Sequence, residues 1–119
     1  MRDFRELKVW EKAHRVTLEV YRATSAFPSE ERFGLTAQLR RAATSVPTNI
    51  AEGCGRSSHA SFLHFLDIAM GSASETEYQI LLGRDLNFLA EDQHSQLAAG
   101  IIEVKKMLSA LILKLKADG

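Results

Sequence analysis

The chain has 119 residues, 45% of them apolar and 25% charged, which is the composition of one folded domain covering 1–119 rather than of a disordered segment. Fifteen basic residues balance fifteen acidic ones, so no global field draws in a polyanion, and the one cysteine, Cys54, excludes an internal disulfide and a thiol-built zinc site. The Met1–Glu6 run precedes no apolar signal core and no uncharged apolar stretch approaches about 18 residues, so the expectation is a soluble, cytoplasmic protein with no membrane partner.

The first periodic segment runs from about Leu7 to Thr24. Leu7, Trp10, Ala13, Thr17, Val20 or Tyr21, and Thr24 recur there at the three- and four-residue steps of one helix face. Phe27-Pro28 stops it, because proline pushes the preceding residue out of helical dihedrals. Ser29-Glu30-Glu31 offers a capping hydroxyl and two acids to a second helix, and Gly34 weakens its first turn, so the onset lies between Ser29 and Leu35. This helix extends to about Glu52 on a stripe of Leu35, Leu39, Ala42, Val46 and Ile50. Pro47 removes the bond to the Ala43 carbonyl, a cost of roughly 3 kcal/mol in an ordinary helix interior. A kinked but continuous helix is expected, with a break at Val46 as the alternative.

Gly53-Cys54-Gly55-Arg56-Ser57-Ser58 is the clearest turn, with two glycines followed by serines able to cap. The third and longest helix spans about Ser58 to Leu89. Its seam is Phe62, Leu66, Ala69, Ala73, Thr76 and Ile80, with Leu63, Met70, Leu81 and Phe88 beside it, and Gly71 and Gly83 are expected at close contacts with a neighbour. Ala90-Glu91-Asp92 makes the last turn, Asp92 serving as cap. The fourth helix carries Leu97, Ile101, Val104, Leu108, Leu111 and Leu115, alternating four and three steps as in a left-handed bundle seam.

Four helices on short connections make an all-α, antiparallel up-down-up-down bundle. At about 1.5 Å per residue the third and fourth helices measure roughly 48 and 36 Å, and the first two are shorter. Two long and two shorter helices leave apolar surface uncovered, which motivates a homo-oligomer.

Glu11-Lys12-Ala13-His14 and Glu91-Asp92-Gln93-His94 are both Glu-x-x-His, the repeat of di-iron bundles, with Glu52 and Glu75 or Glu77 available to complete a ligand set. Both copies lie at the starts of their helices, however, and in an up-down-up-down bundle those starts sit at opposite ends. His59 and His64 are five residues apart and so point roughly 140° apart around a helix. Cys54 reads as a small residue in a turn. No phosphate loop, nucleophile elbow or nicotinamide fingerprint occurs. These residues therefore assign no catalytic, metal or cofactor site.

A polar line stands out on the second helix, where Gln38, Arg41, Ser45, Asn49, Glu52 and Arg56 recur at three- and four-residue steps beside the apolar stripe. Ser72, Glu75 and Gln79 offer a matching line on the third. Two readings stay open: an exposed face, or a satisfied polar network between the two helices or across a subunit contact. Charge also divides by halves. Residues 1–56 hold ten basic and seven acidic side chains, a balance of +3, and residues 57–119 hold five and eight, a balance of −3. Opposite signs suit head-to-tail contact between identical subunits, which closes into a ring when the rotation permits. For nucleic acid, the candidate contacts are Lys8, Lys12, Arg15, Arg40 and Arg56, with Arg2, Arg5 and Arg22 nearby and Glu6, Glu11 and Glu19 interleaved.

The run Phe33 to Gly53, with Asn49-Ile50-Ala51-Glu52-Gly53 at its end and Gly55-Arg56 following, resembles the signature of the bacterial "four helix bundle protein" family, also called the 23S ribosomal RNA intervening-sequence protein or S23 family. Phe4-Arg5-Glu6-Leu7-Lys8-Val9-Trp10, Ala13, Phe27-Pro28, Glu31, Phe62, Leu66, Ala69, Gly71-Ser72 and Glu75 fit it as well. The resemblance implies an antiparallel four-helix bundle, a homopentameric ring, and neither enzyme activity nor cofactor. It implies that some members are encoded inside insertions in ribosomal RNA genes. A related and distinctly basic branch supplies the nucleic-acid-binding accessory protein that works with a reverse transcriptase. The resulting expectation is a non-enzymatic, oligomeric assembly or adaptor module whose first partner is itself. The alternative is an accessory protein that binds RNA or DNA, or works with a nucleic-acid enzyme.

Overall fold

The computed structural model describes residues 2–119; Met1, the first residue of the N-terminal run, lies outside them. Among the described residues there are four α-helices, α1 (Lys8–Thr24), α2 (Leu35–Cys54), α3 (His59–Asp85) and α4 (Glu91–Asp118), two short 3₁₀ turns, and no strand. The fold is thus all-α. Each helix packs on its neighbours in sequence and α1 closes against α4, giving a body of 45 × 23 × 20 Å around one hydrophobic core.

Local chemistry sets the boundaries. Asp3 caps the 3₁₀ turn Phe4–Glu6, accepting from the Arg5 N–H at 3.0 Å, and α1 follows directly. Its buried face is Val9, Ala13, Val16, Thr17, Val20, Ala23 and Thr24, which contains Ala13, Thr17, Val20 and Thr24 of the expected stripe and adds Val9, Val16 and Ala23; of the two candidates Val20 is the buried one, while Tyr21 faces solvent and Leu7 and Trp10 are half-buried. Helix α2 begins at the late end of its expected window. Gly34, at φ −104° and ψ −118°, is non-helical, and the Glu31 carboxylate reaches over it to accept from the Leu35 N–H at 2.9 Å. A Cβ on Gly34 would meet that same carboxylate oxygen at 2.7 Å.

Helix α3 ends four residues before the expected Leu89. Asn87 takes a left-handed φ of 62°, which turns the chain so that the N–H groups of Phe88 and Leu89 donate to the Gly83 carbonyl at 2.8 and 3.3 Å. The turn lays Leu89 against Gly83, where a Cβ would sit 3.2 Å from it, so Gly83 does occupy a close contact. Gly71 does not: it is exposed, with nothing within 4 Å of a Cβ. With the early stop, α3 has 27 residues and α4, at 28, is the longest. Ala90 rather than Asp92 is the α4 cap, and the Gln93 side chain accepts from its N–H at 3.1 Å. The expected seam of α3 is buried throughout. On α4, Ile112 is buried and Leu111 only half-buried.

Helix α2 runs unbroken through Pro47. The carbonyl that Pro47 leaves without a helical donor belongs to Ala43, and α1 supplies a replacement. The Thr17 hydroxyl, almost fully buried, lies 3.1 Å from the Ala43 oxygen and 2.9 Å from the Ala13 oxygen of its own helix. Thr17→Val, which keeps shape and removes this donor, is expected to cost about 1–3 kcal/mol in urea unfolding. In a Pro47→Ala background, where the helix supplies its own N–H, the loss shrinks, leaving a coupling of at least about 0.5 kcal/mol in a double-mutant cycle.

Candidate functional site

The polar line of α2 faces α3 along part of its length. Arg41 donates to the Glu75 carboxylate at 2.9 Å, and the Ser45 and Ser72 hydroxyls lie 2.9 Å apart. Asn49 folds back on its own helix, donating to the Ser45 carbonyl at 2.8 Å and its hydroxyl at 2.9 Å. Gln79, 5% exposed, donates to Glu75 at 3.3 Å and to Gln38 at 3.5 Å, and its amide oxygen has no partner. Gln38, Arg41, Ser45, Asn49 and Glu75 are therefore joined in one α2–α3 seam. Glu52 and Arg56 are not part of it. They pair with each other at 2.9 Å on the surface, and the Arg56 guanidinium lies 4.7 Å from the Phe65 ring.

Three of the five candidate nucleic-acid cations, Arg15, Arg40 and Arg56, are engaged within the chain. Arg40 is bound to the end of α1, donating to the Thr24 hydroxyl at 2.8 Å and the Tyr21 carbonyl at 3.2 Å, with its guanidinium 4.6 Å from the Tyr21 ring. It serves there as a carbonyl cap and a clamp between α1 and α2. Arg15 pairs with Glu11 one turn away. Lys8 is exposed and Lys12 half-buried on α1. Lys8, Lys12 and Arg15 share one line of α1 at four- and three-residue steps, whereas Arg40 lies in α2 and Arg56 just beyond it.

What spacing did not reveal is an open, mainly apolar groove of about 590 Å³ on the outer side of α1 and α2. Phe4, Trp10, His14, Leu18 and Tyr21 form one wall; Thr44, Pro47, Thr48 and Ala51 form the other. Trp10 stacks flat on His14 at 5.0 Å and meets Phe4 at 4.9 Å. The signal was present as the run Trp10, His14, Leu18, Tyr21, a second helical stripe offset from the core face. The His14 of one Glu-x-x-His copy is thus part of an aromatic stack. Among the described residues no three His, Cys, Asp or Glu side chains come together as metal ligands. His59 reaches the Leu115 carbonyl at 2.7 Å, holding the start of α3 to the end of α4. Cys54 belongs to the last turn of α2 and to the core, rather than to the turn beyond it. Burial pushes its thiol pKa up, and the nearby Arg2 guanidinium partly opposes that. Among the described residues no helix is long and apolar enough to cross a membrane.

Residues 5–110 match the family described as 23S rRNA-intervening sequence protein. The crystal structure of a protein of unknown function from the S23 ribosomal protein family of Bacteroides thetaiotaomicron is similar, with 26% identity, coverage of 87% of this chain and 97% of that chain, and a TM-score of 0.79. No curated protein matches the chain.

The seam separates two substitutions that the spacing alone placed together. Asn49→Ala strips the Ser45 hydroxyl of a donor and is expected to cost about 1 kcal/mol in urea unfolding, whereas Glu52→Ala stays within about 0.5 kcal/mol. For Cys54, the native thiol is expected to react with a disulfide reagent far more slowly than the urea-unfolded chain. Because the folded state holds the thiol proton more tightly, this group's contribution is intact below the ordinary value of 9.0 and is lost as pH rises from there toward the raised folded value. A pH series of urea midpoints checks the sign.

Proposed function

We propose that this chain, which belongs to the 23S rRNA-intervening sequence protein family, is a one-domain, non-enzymatic assembly or adaptor module of the cytoplasm, an up-down-up-down bundle that works as a homo-oligomeric, pentameric ring. Contacts between helix ends support the alternation of direction. The Arg2 N–H donates to the Cys54 carbonyl, tying the start of the chain to the end of α2; Arg40 ties the start of α2 to the end of α1; His59 ties the start of α3 to the end of α4.

The observation that carries the assembly reading is apolar surface left in water. Leu18 and Tyr21 on α1 and Tyr78, Leu81, Ile102 and Leu113 on the two long helices are all exposed, Leu113 at 66% and Tyr78 at 59%. Surface of this kind grouped on element faces marks association rather than ordinary scatter. Light scattering on the eluting protein at micromolar concentration is expected to give about five times the 13.3 kDa chain mass; a monomer would end the proposal.

The second reading, an accessory protein for nucleic acid, is favoured by the ribosomal RNA association in the family's description. It calls for retention on RNA that weakens as salt rises. The ion pairing of Arg15 and Arg56 and the clamp role of Arg40 place it second.

A further inference from the structure

Between α1 and the first turns of α4 lies a smaller space than the α1–α2 groove, and a more polar one. The two helices meet closely at Gly100, where a Cβ would lie 3.0 Å from the Val16 side chain. Nearer the start of α4 they part around a crevice of about 230 Å³. Glu19, Arg22 and Ala23 line it from α1, and Gln93, Gln96 and Leu97 from α4. Ala23 and Leu97 are buried and make an apolar base, with the four polar side chains around it. Glu11 and Arg15, earlier on α1, pair with each other as neighbours on a helix face ordinarily do. Glu19 and Arg22 are also neighbours, three residues apart, yet among the described residues neither takes part in an ion pair. Gln93 spends its side-chain oxygen on the Ala90 N–H at 3.1 Å and retains its NH2 donor. We infer that the crevice is a binding site for a free α-amino acid, whose ammonium group meets Glu19, whose carboxylate meets Arg22, and whose aliphatic side chain covers Ala23 and Leu97. The inference goes beyond the assembly reading, and the site is complete within one copy of the chain.

Charge, size and the apolar base select this ligand. An anion alone would sit beside the Glu19 carboxylate and a cation alone beside the Arg22 guanidinium, and either placement sets like charges together. A molecule with both charges meets a complementary group at each end, and a guanidinium holds a carboxylate through two parallel N–H bonds. The volume is below the about 300–1,000 Å³ of sites for drug-sized ligands, which suits an amino acid better than a nucleotide. The buried base gives an aliphatic side chain a place out of water. An occupant would touch α1 and α4 together and so bridge the contact that closes the bundle. A ligand bound by the folded chain alone raises the melting temperature as its concentration rises.

The test is calorimetric titration and thermal melting of the full chain with L-leucine. Binding is expected, with Tm raised by about 5 °C once L-leucine is in tenfold excess over its Kd. N-acetyl-L-leucine lacks the ammonium charge and L-leucinamide lacks the carboxylate, and each is expected to bind at least about tenfold more weakly. Glu19→Gln and Arg22→Gln change a half-buried and an exposed side chain outside any ion pair, and circular dichroism is expected to show both folded. Each is expected to weaken L-leucine at least about tenfold. Glu19→Gln is expected to leave N-acetyl-L-leucine unchanged, and Arg22→Gln to leave L-leucinamide unchanged, which assigns each charge to its residue. Absence of both heat and a rise in Tm with L-leucine, L-alanine and glycine up to about 10 mM would overturn the proposal. Equal binding of L-leucine by both folded variants and the native chain would overturn it as well, and so would N-acetyl-L-leucine binding as tightly as L-leucine.

Discussion

The proline in the middle of α2 is accommodated because another helix replaces what it takes away. Pro47 has no N–H for the Ala43 carbonyl, and an orphaned carbonyl at a buried position is costly. The Thr17 hydroxyl, in hydrogen-bond reach of Ala43, meets that need from α1. This contact ties α1 to α2 in one register beside the proline, the single Thr17 proton being shared with the Ala13 carbonyl of its own helix. The consequences run outward. On the exposed side, Thr17 and Pro47 line the aromatic groove. At the helix ends, the same register brings Arg40 to Tyr21 and Thr24 and the Arg2 N–H to Cys54. On the far side of α2, it leaves Arg41, Ser45 and Asn49 free to build the seam with α3.

Helix α2 thus has three duties on three faces: apolar contact with the core through Leu39, Val46 and Ile50, polar contact with α3, and one wall of the groove. Small residues make this feasible. Ala42 and Ala43 are buried, and Gly53 sits where a Cβ would lie 2.9 Å from the Phe62 ring and 3.0 Å from Phe65. Close approach of α2 and α3 there lets the short serine hydroxyls at 45 and 72 meet directly, which longer side chains would prevent.

The parts legible in the sequence were those governed by one helix at a time. The seams of α3 and α4 follow from four-and-three spacing because these helices contact neighbours along an unbroken apolar face. The polar line of α2 was legible for the same reason. Its partition was not: whether Glu52 binds across to α3 or along to Arg56 depends on where the α2–α3 connection leaves the seam. On α1 the aromatic residues misled, since Trp10 and Tyr21 carry enough apolar surface to count as core in a periodicity reading while they line an outer wall. The end of α3 depended on Asn87 adopting a left-handed turn and on Leu89 finding Gly83, contacts beyond the reach of local propensity. The stripe Trp10, His14, Leu18 and Tyr21 marked one wall of the groove, but the groove itself needed the second wall on α2, which that stripe does not contain.

The charge arrangement gives the two outer surfaces different characters from those a neutral composition suggests. Many of the cations are spent inside the protomer: Arg41 on Glu75, Arg56 on Glu52, Arg15 on Glu11, Lys105 on Glu77, Arg40 on backbone carbonyl and hydroxyl. Such exposed pairs add little stability individually, and of them only Lys105–Glu77 lies among the residues lining an outer depression. A surface built to hold phosphates would keep its guanidinium groups unpaired and aligned. One built to meet another folded surface keeps an apolar centre, settles its charges at the rim and lets the residual field choose the orientation. The α1–α2 groove has an apolar centre with no Asp, Glu, Lys or Arg among its lining residues, whereas Glu77, Lys105 and Lys106 border the depressions between α3 and α4.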